Sequence, residues 1–171
     1  MDWIQFGVQW LHVILAVSWF GGQMFLDFVV MPTLRTVPPL AGRDVGRALV
    51  PRVGRYMRIA GGLVIVLGLL RGTVWGPLPP GDDSLSFGSQ YGITWSISIL
   101  LAVAIFAVGD GLIGRTARTL YADDALWTPG PDGRPQAGLL ALAGRLRTAS
   151  IIQLVLFVAA FTCMILMGFE G

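Results

Sequence analysis

The sequence predicts an all-α integral membrane protein: a four-helix bundle with both termini outside and two arginine-rich cytoplasmic loops. Three observations carry this prediction. Of 171 residues, 54% are hydrophobic and 13% charged, against about a quarter charged in a soluble domain, and the mean hydropathy is +0.71. Four apolar runs approach or exceed the ~20 residues that cross a ~30 Å hydrocarbon layer. All the basic residues are arginine, and they gather in two of the three connecting loops.

The first run, Trp3 to Met31, predicts a helix over 3–31. It carries Asp2 where a secretory signal has Lys or Arg, lacks a small-residue cleavage site and is too long for a signal's apolar core, so it is expected to stay in the mature protein. The second run predicts a helix over 59–75 and the third over 93–114; the fourth predicts one over 148–168, extended back toward Ala137. Between the first two helices lie Arg35, Arg43, Arg47, Arg52, Arg55 and Arg58 against Asp44 alone, whereas the next loop has Asp82 and Asp83 and no basic residue. The third loop opens with Arg115 and Arg118 and closes with Arg145 and Arg147. Loops rich in Lys/Arg stay cytoplasmic, which places both termini outside a bacterial inner membrane.

Residues 41–58 predict an interfacial helix that snorkels its arginines to anionic lipid or docks a cytoplasmic partner, with Pro51 as a break or kink. The cluster Thr128-Pro129-Gly130-Pro131-Asp132-Gly133-Arg134-Pro135 predicts a turn. Gly68, Gly72 and Gly76 share one face of the second helix, and Gly21-Gly22 and Gly61-Gly62 fit the same pattern of close helix crossings. The chain is one transmembrane domain, 1–171, and its arginines flank apolar runs as topology signals, not as a nucleic-acid footprint.

Within the first helix Gln5, Gln9, His12, Gln23 and Asp27 fall within roughly 40° of one direction, with Ala16 and Trp19 filling the gaps. A polar group facing lipid unpaired costs several kcal/mol, so this stripe is expected to face the bundle, a partner or a cavity. His12 is the only histidine, and a membrane-buried ionisable residue points to function. It reads either as a neutral imidazole bonded to a carbonyl or Gln9, or as a ligand to haem iron or copper. Met164 and Met167 share a face of the fourth helix and are candidate thioether ligands beside Cys163, although methionine on an apolar helix also packs. Arg71, near the external end of the second helix, either snorkels or pairs with an anionic group such as a haem propionate. Asp27 and Asp110, near Arg35 and Arg115, are expected to form interfacial ion pairs or line a vestibule. A single cysteine excludes an internal disulfide and any multi-cysteine metal site. The absence of lysine excludes Schiff-base and P-loop chemistry. No triad, zinc motif or G-x-S-x-G elbow supports a hydrolase; an enzyme here would be a membrane oxidoreductase.

The segment Trp10-Leu11-His12-Val13-Ile14-Leu15-Ala16-Val17-Ser18-Trp19-Phe20-Gly21-Gly22, with Phe25 and Val29-Val30-Met31-Pro32 beyond it, resembles the first helix of the copper-resistance-D-type (CopD) membrane proteins. It is also similar to that of the HemJ-type protoporphyrinogen oxidases, whose histidine precedes a Trp-Phe-x-Gly stretch by seven residues, as His12 precedes Trp19. The clear match covers about 25 residues, and Arg55 to Gly72 is a looser likeness. The HemJ pattern has a lysine in a later helix, which this chain lacks. The resemblance implies a small helical bundle bearing haem b, for electron transfer or haem and porphyrin handling, or else copper or small-solute transport and homeostasis. The resemblance carries a ligand role over to His12 alone; Met164 and Met167 are the further metal-ligand candidates read from the residues, with Arg71 and Trp19 as candidates to lie beside a cofactor. A second axial ligand could equally be His12 of another copy in a symmetric homodimer. A third reading is a cofactor-free accessory subunit whose stripe bonds a larger membrane complex.

Overall fold

The computed structural model describes residues 2–75 and 90–169. Among these residues the chain is all helical, with no strand, and four helical spans are long and apolar enough to cross a membrane: Trp3–Leu34, Pro39–Thr73, Gln90–Ala122 and Ala137–Gly168. Gly76, Asp82, Asp83 and the segment Gly88–Ser89 lie outside the described residues.

The first span is built of α1 (Trp3–Phe25), a π-helical stretch (Leu26–Val30) and a last turn, α2 (Met31–Leu34). Asp2 starts it, its carboxylate accepting the Ile4 N–H at 2.9 Å. The π stretch abuts Pro32, which has no N–H and whose ring crowds the carbonyl four residues back; the Met31 N–H reaches the carbonyl of Leu26, widening the turn. The third span repeats this plan: α4 (Gln90–Phe106), a π stretch (Ala107–Gly114) and α5 (Arg115–Ala122). Its π stretch holds Gly109, Gly111 and Gly114, residues of low helix preference that let the ladder widen.

The second span corrects the predicted boundaries. α3 runs unbroken from Pro39 to Thr73, with Pro51 inside it, so 41–58 is not a separate helix. The proline removes one backbone bond, but the flanking turns are held by contacts of their own. Arg43 and Arg47 both reach Asp124, at 3.2 and 2.7 Å, and Gly46 seats the ring of Tyr121. The fourth span, α6 (Ala137–Phe169), does extend back to Ala137. Between α5 and α6 a short 3-10 turn (Asp124–Trp127) leads into the Thr128–Pro135 turn cluster. There Gly133 has φ +72°, a conformation that a side chain disfavours, and its N–H is bonded to the Gly130 carbonyl at 2.9 Å.

The described chain divides into two compact units. Unit 1 takes Met1–Phe20, Ile59–Phe106 and Val155–Gly171; unit 2 takes Gly21–Arg58 and Ala107–Leu154. Segments of all four spans contribute to each. In unit 1 the helices keep a constant antiparallel register against α3. Gln5 donates to the Trp75 carbonyl at 3.3 Å, His12 lies on Gly68 and Trp19 on Gly61, so seven residues along α1 match seven back along α3. On its other side Gly72 seats Trp95, Gly68 meets Ile99, and Gly61 meets Phe106. The glycine face thus works as the spacing predicts, as the surface into which neighbouring rings sink. Gly21 and Gly62 have open space around them. An aromatic cluster completes unit 1: Trp19 stands edge-on to Phe157 with ring centres 5.0 Å apart, and Phe20 packs on Phe157 and Phe161.

In unit 2 Tyr121 stacks on Trp127 with ring centres 5.6 Å apart, and the Trp127 indole donates to the Leu120 carbonyl at 2.8 Å. Gly109 faces the Gln153 amide. Eleven of the twelve arginines fall in this unit by sequence, Arg71 alone lying in unit 1.

Candidate functional site

The register sorts the polar stripe of α1. Relative to the seam traced by Gln5, His12 and Trp19, Gln9 lies about 40° to one side and is exposed; it does not join the packed face and is not a partner of His12. Gln5 is half-buried and tied to the end of α3 through Trp75. Trp19 is 4% exposed and enclosed by Gly61 and Phe157, so it fills the seam and offers no free ring face. Gln23 and Asp27 belong to unit 2, where the buried Gln23 amide donates to the Asp27 carboxylate at 2.9 Å. Asp27 therefore has a neutral partner on its own helix, one turn away, instead of pairing with Arg35. Asp110 likewise pairs with Arg58, at 3.6 Å, and not with Arg115. Asp110 thus forms an ion pair as expected, with a different arginine, and both carboxylates lie in π stretches, where the helix surface turns relative to a regular α-helix.

His12 is the one histidine, and its ring faces the Val64 carbonyl of α3. A Cβ placed at Gly68 would come 3.1 Å from His12 Cε1, so a side chain there would press the ring back by a few tenths of an ångström. Nδ1 is buried with no hydrogen-bond partner among the described residues. A buried polar atom without a partner costs about 1–3 kcal/mol, so an imidazole left in this state is a group with unused capacity to bind.

Arg71 stands three residues, about one turn, beyond Gly68. Its Nη1 donates to the Trp75 carbonyl at 2.8 Å, capping the C-terminal end of α3, where a cation also suits the helix dipole. Its Nε is buried without a partner among the described residues. Unit 1 therefore holds an imidazole nitrogen and a guanidinium nitrogen, both buried and unpaired, on facing helices within about a turn of one another.

Met164 and Met167 are half-buried on α6, as is the free Cys163. The Trp19–Phe157 pair gives their level: seven residues toward the start of α1 reach His12, and seven toward the end of α6 reach Met164, each about 10 Å along its helix. The Phe20–Phe161 pair sets that level about four residues further along α6, so both Met164 and Met167 lie near the depth of His12. Among the described residues no three His, Cys, Asp or Glu side chains are grouped to hold a metal ion, so any metal here would draw on the thioethers. The arrangement can supply one imidazole ligand, a soft thioether at the same level and a cation for a carboxylate. A haem b would draw on an imidazole nitrogen and on a cation for its propionates, and His12 and Arg71 are the groups of unit 1 that could provide them.

The sequence singled out His12 and Arg71 because charge in an apolar run stands out. It did not single out Gly68 as the partner of His12 or Val64 as the carbonyl facing the ring, since both depend on register between helices some fifty residues apart. No known protein family matches the chain, and neither a curated protein nor a solved structure gives a significant match.

Proposed function

We propose that the chain is a bacterial inner-membrane protein that binds haem b in unit 1 through His12, and that it works in electron transfer or haem handling. One observation carries this reading: the imidazole of His12 is held against α3 with Nδ1 buried and unpaired among the described residues. Arg71, about one turn along α3, would hold a propionate with the guanidinium nitrogen that has no partner among the described residues. Bound in this way, a haem supplies one-electron chemistry; the chain supplies the ligand, the counter-charge and a dry surrounding. The orientation belongs to the same proposal, with the arginine-rich unit facing the cytoplasm and both termini outside.

Copper handling is the second reading, and the thioether of Met164 near the depth of His12 favours it, because imidazole and thioether together suit copper. The two separate in one experiment. The full chain is purified in mild detergent after expression with added haem, and its reduced-minus-oxidised visible spectrum is recorded with metal analysis on the same sample. A b-type signal that disappears in His12→Ala is the expected result. Copper without a haem spectrum, bound through His12, selects the second reading. A haem spectrum unchanged at full occupancy in His12→Ala overturns the site, and a colourless, metal-free protein makes His12 a packing residue of an accessory subunit.

A further inference from the structure

At the level where two apolar runs begin and end, unit 2 carries a second charged constellation, independent of His12. Arg58 is the last residue before the apolar run of α3, and Arg115 the first after that of the third span. Between these limits Asp110 is 35% exposed and Arg58 50% exposed, their side chains 3.6 Å apart. The Arg58 Nε also donates to the Gly54 carbonyl at 3.2 Å, which fixes the direction of the guanidinium. A second guanidinium lies nearby without pairing with that carboxylate: a Cβ at Gly114 would lie 3.4 Å from Arg118 Nη1 and 3.6 Å from Asp110 Oδ1. The absence of a side chain at Gly114 lets the two approach over the backbone. Arg118 has no hydrogen bond or ion pair among the described residues, so its five N–H donors are uncommitted. One ion pair with an uncommitted guanidinium nearby leaves a net positive charge with unused donors beside a part-exposed acceptor.

We propose that Arg58, paired with Asp110, and the uncommitted Arg118 beside Gly114 bind the head group of an anionic phospholipid that carries hydroxyl donors, phosphatidylglycerol being the simplest such chemistry. The two guanidiniums take the phosphodiester oxygens, for which their planar forks are suited. The Asp110 carboxylate accepts from the head-group hydroxyls, and the same charge repels a head group bearing its own carboxylate. The depth selects lipid over a soluble acidic partner, because lipid phosphates lie at the boundary where apolar runs end. The proposal rests on the membrane reading and not on the haem site.

The test uses the delipidated full chain in detergent, mixed with equimolar dioleoyl phosphatidylglycerol, phosphatidylserine and phosphatidylcholine, with bound lipid measured by native mass spectrometry. Retention of phosphatidylglycerol over phosphatidylcholine by on the order of ten-fold is expected from one or two charge-assisted bonds. The paired change Arg58→Gln with Arg118→Gln should abolish that preference, the Lys/Lys pair should keep part of it, and Arg134→Gln should leave it intact. In Asp110→Asn the gap between phosphatidylglycerol and phosphatidylserine should narrow. Equal retention of all three lipids by the native chain overturns the proposal, as does a Gln/Gln pair that binds like the native protein. Displacement of the lipid by millimolar inorganic phosphate overturns the lipid as ligand. The visible spectrum of the same variants should not change, which keeps this test separate from that of His12.

Discussion

Gly46 and Gly21 are both helical glycines, and the space around them makes opposite predictions. At Gly46 a Cβ would run into the ring of Tyr121, which is itself buried and stacked on Trp127. Gly46→Ala should therefore lower stability by about 1–3 kcal/mol, as overpacking does, and adding Tyr121→Ala should make the glycine change nearly harmless. Gly21 has nothing within 4 Å, so Gly21→Ala should gain up to about 1 kcal/mol from helix preference. Thermal unfolding of the variants in one detergent checks all three. At Arg71 the bond to the Trp75 carbonyl predicts that Arg71→Ala costs about 1 kcal/mol through the lost cap; it should also weaken haem retention if the guanidinium holds a propionate. The sequence reading is uneven at this scale for a physical reason. His12 and Arg71 stand out because charge is rare in apolar runs, whereas Gly46 sits in an arginine-rich stretch where nothing marks it as a seat for an aromatic ring. The outward direction of Gln9 was equally hidden, since a 3.6-residue period places it only about 40° from a seam that follows a seven-residue step.

The spans themselves were legible as elements, because lipid demands long uninterrupted apolar runs and little else produces them. Their ends were not, since a helix continues past the membrane wherever tertiary contacts hold it. Pro51 shows the difference. Read alone, a proline costs a helix interior about 3 kcal/mol, but Arg43, Arg47 and Gly46 tie the first turns of α3 to the segment around Tyr121 and Asp124. Pro51→Ala should consequently restore one backbone bond without changing the fold, and stabilise the protein by about 1–3 kcal/mol in chemical denaturation. A fall in stability would mean that the proline's distortion is required by the packing. The π stretches likewise escape a reading by regular periodicity. They re-aim Asp27 and Asp110, so each carboxylate finds a partner that simple nearness to an arginine in the sequence did not suggest.

For the whole molecule, positive charge is divided unevenly, with eleven arginines against six aspartates in unit 2 and Arg71 the single arginine of unit 1. Such an imbalance predicts orientation, and the single native cysteine makes it simple to measure. In a Cys163→Ser background, Asp2→Cys should react with an impermeant maleimide in intact cells, and Arg134→Cys only after lysis; the reverse pattern would invert the topology. The constant register of α3 adds a rule about tolerated change in length. One residue inserted between Val64 and Gly68 would turn the rest of the helix by about 100°, bringing Leu67 against His12 and Arg71 against Trp95, where glycines now stand. The Thr128–Pro135 turn, whose proline and aspartate side chains are exposed, can absorb an added residue without altering any ring seat. Length variation in proteins built on this plan should therefore accumulate in that turn and be excluded from the glycine face of α3.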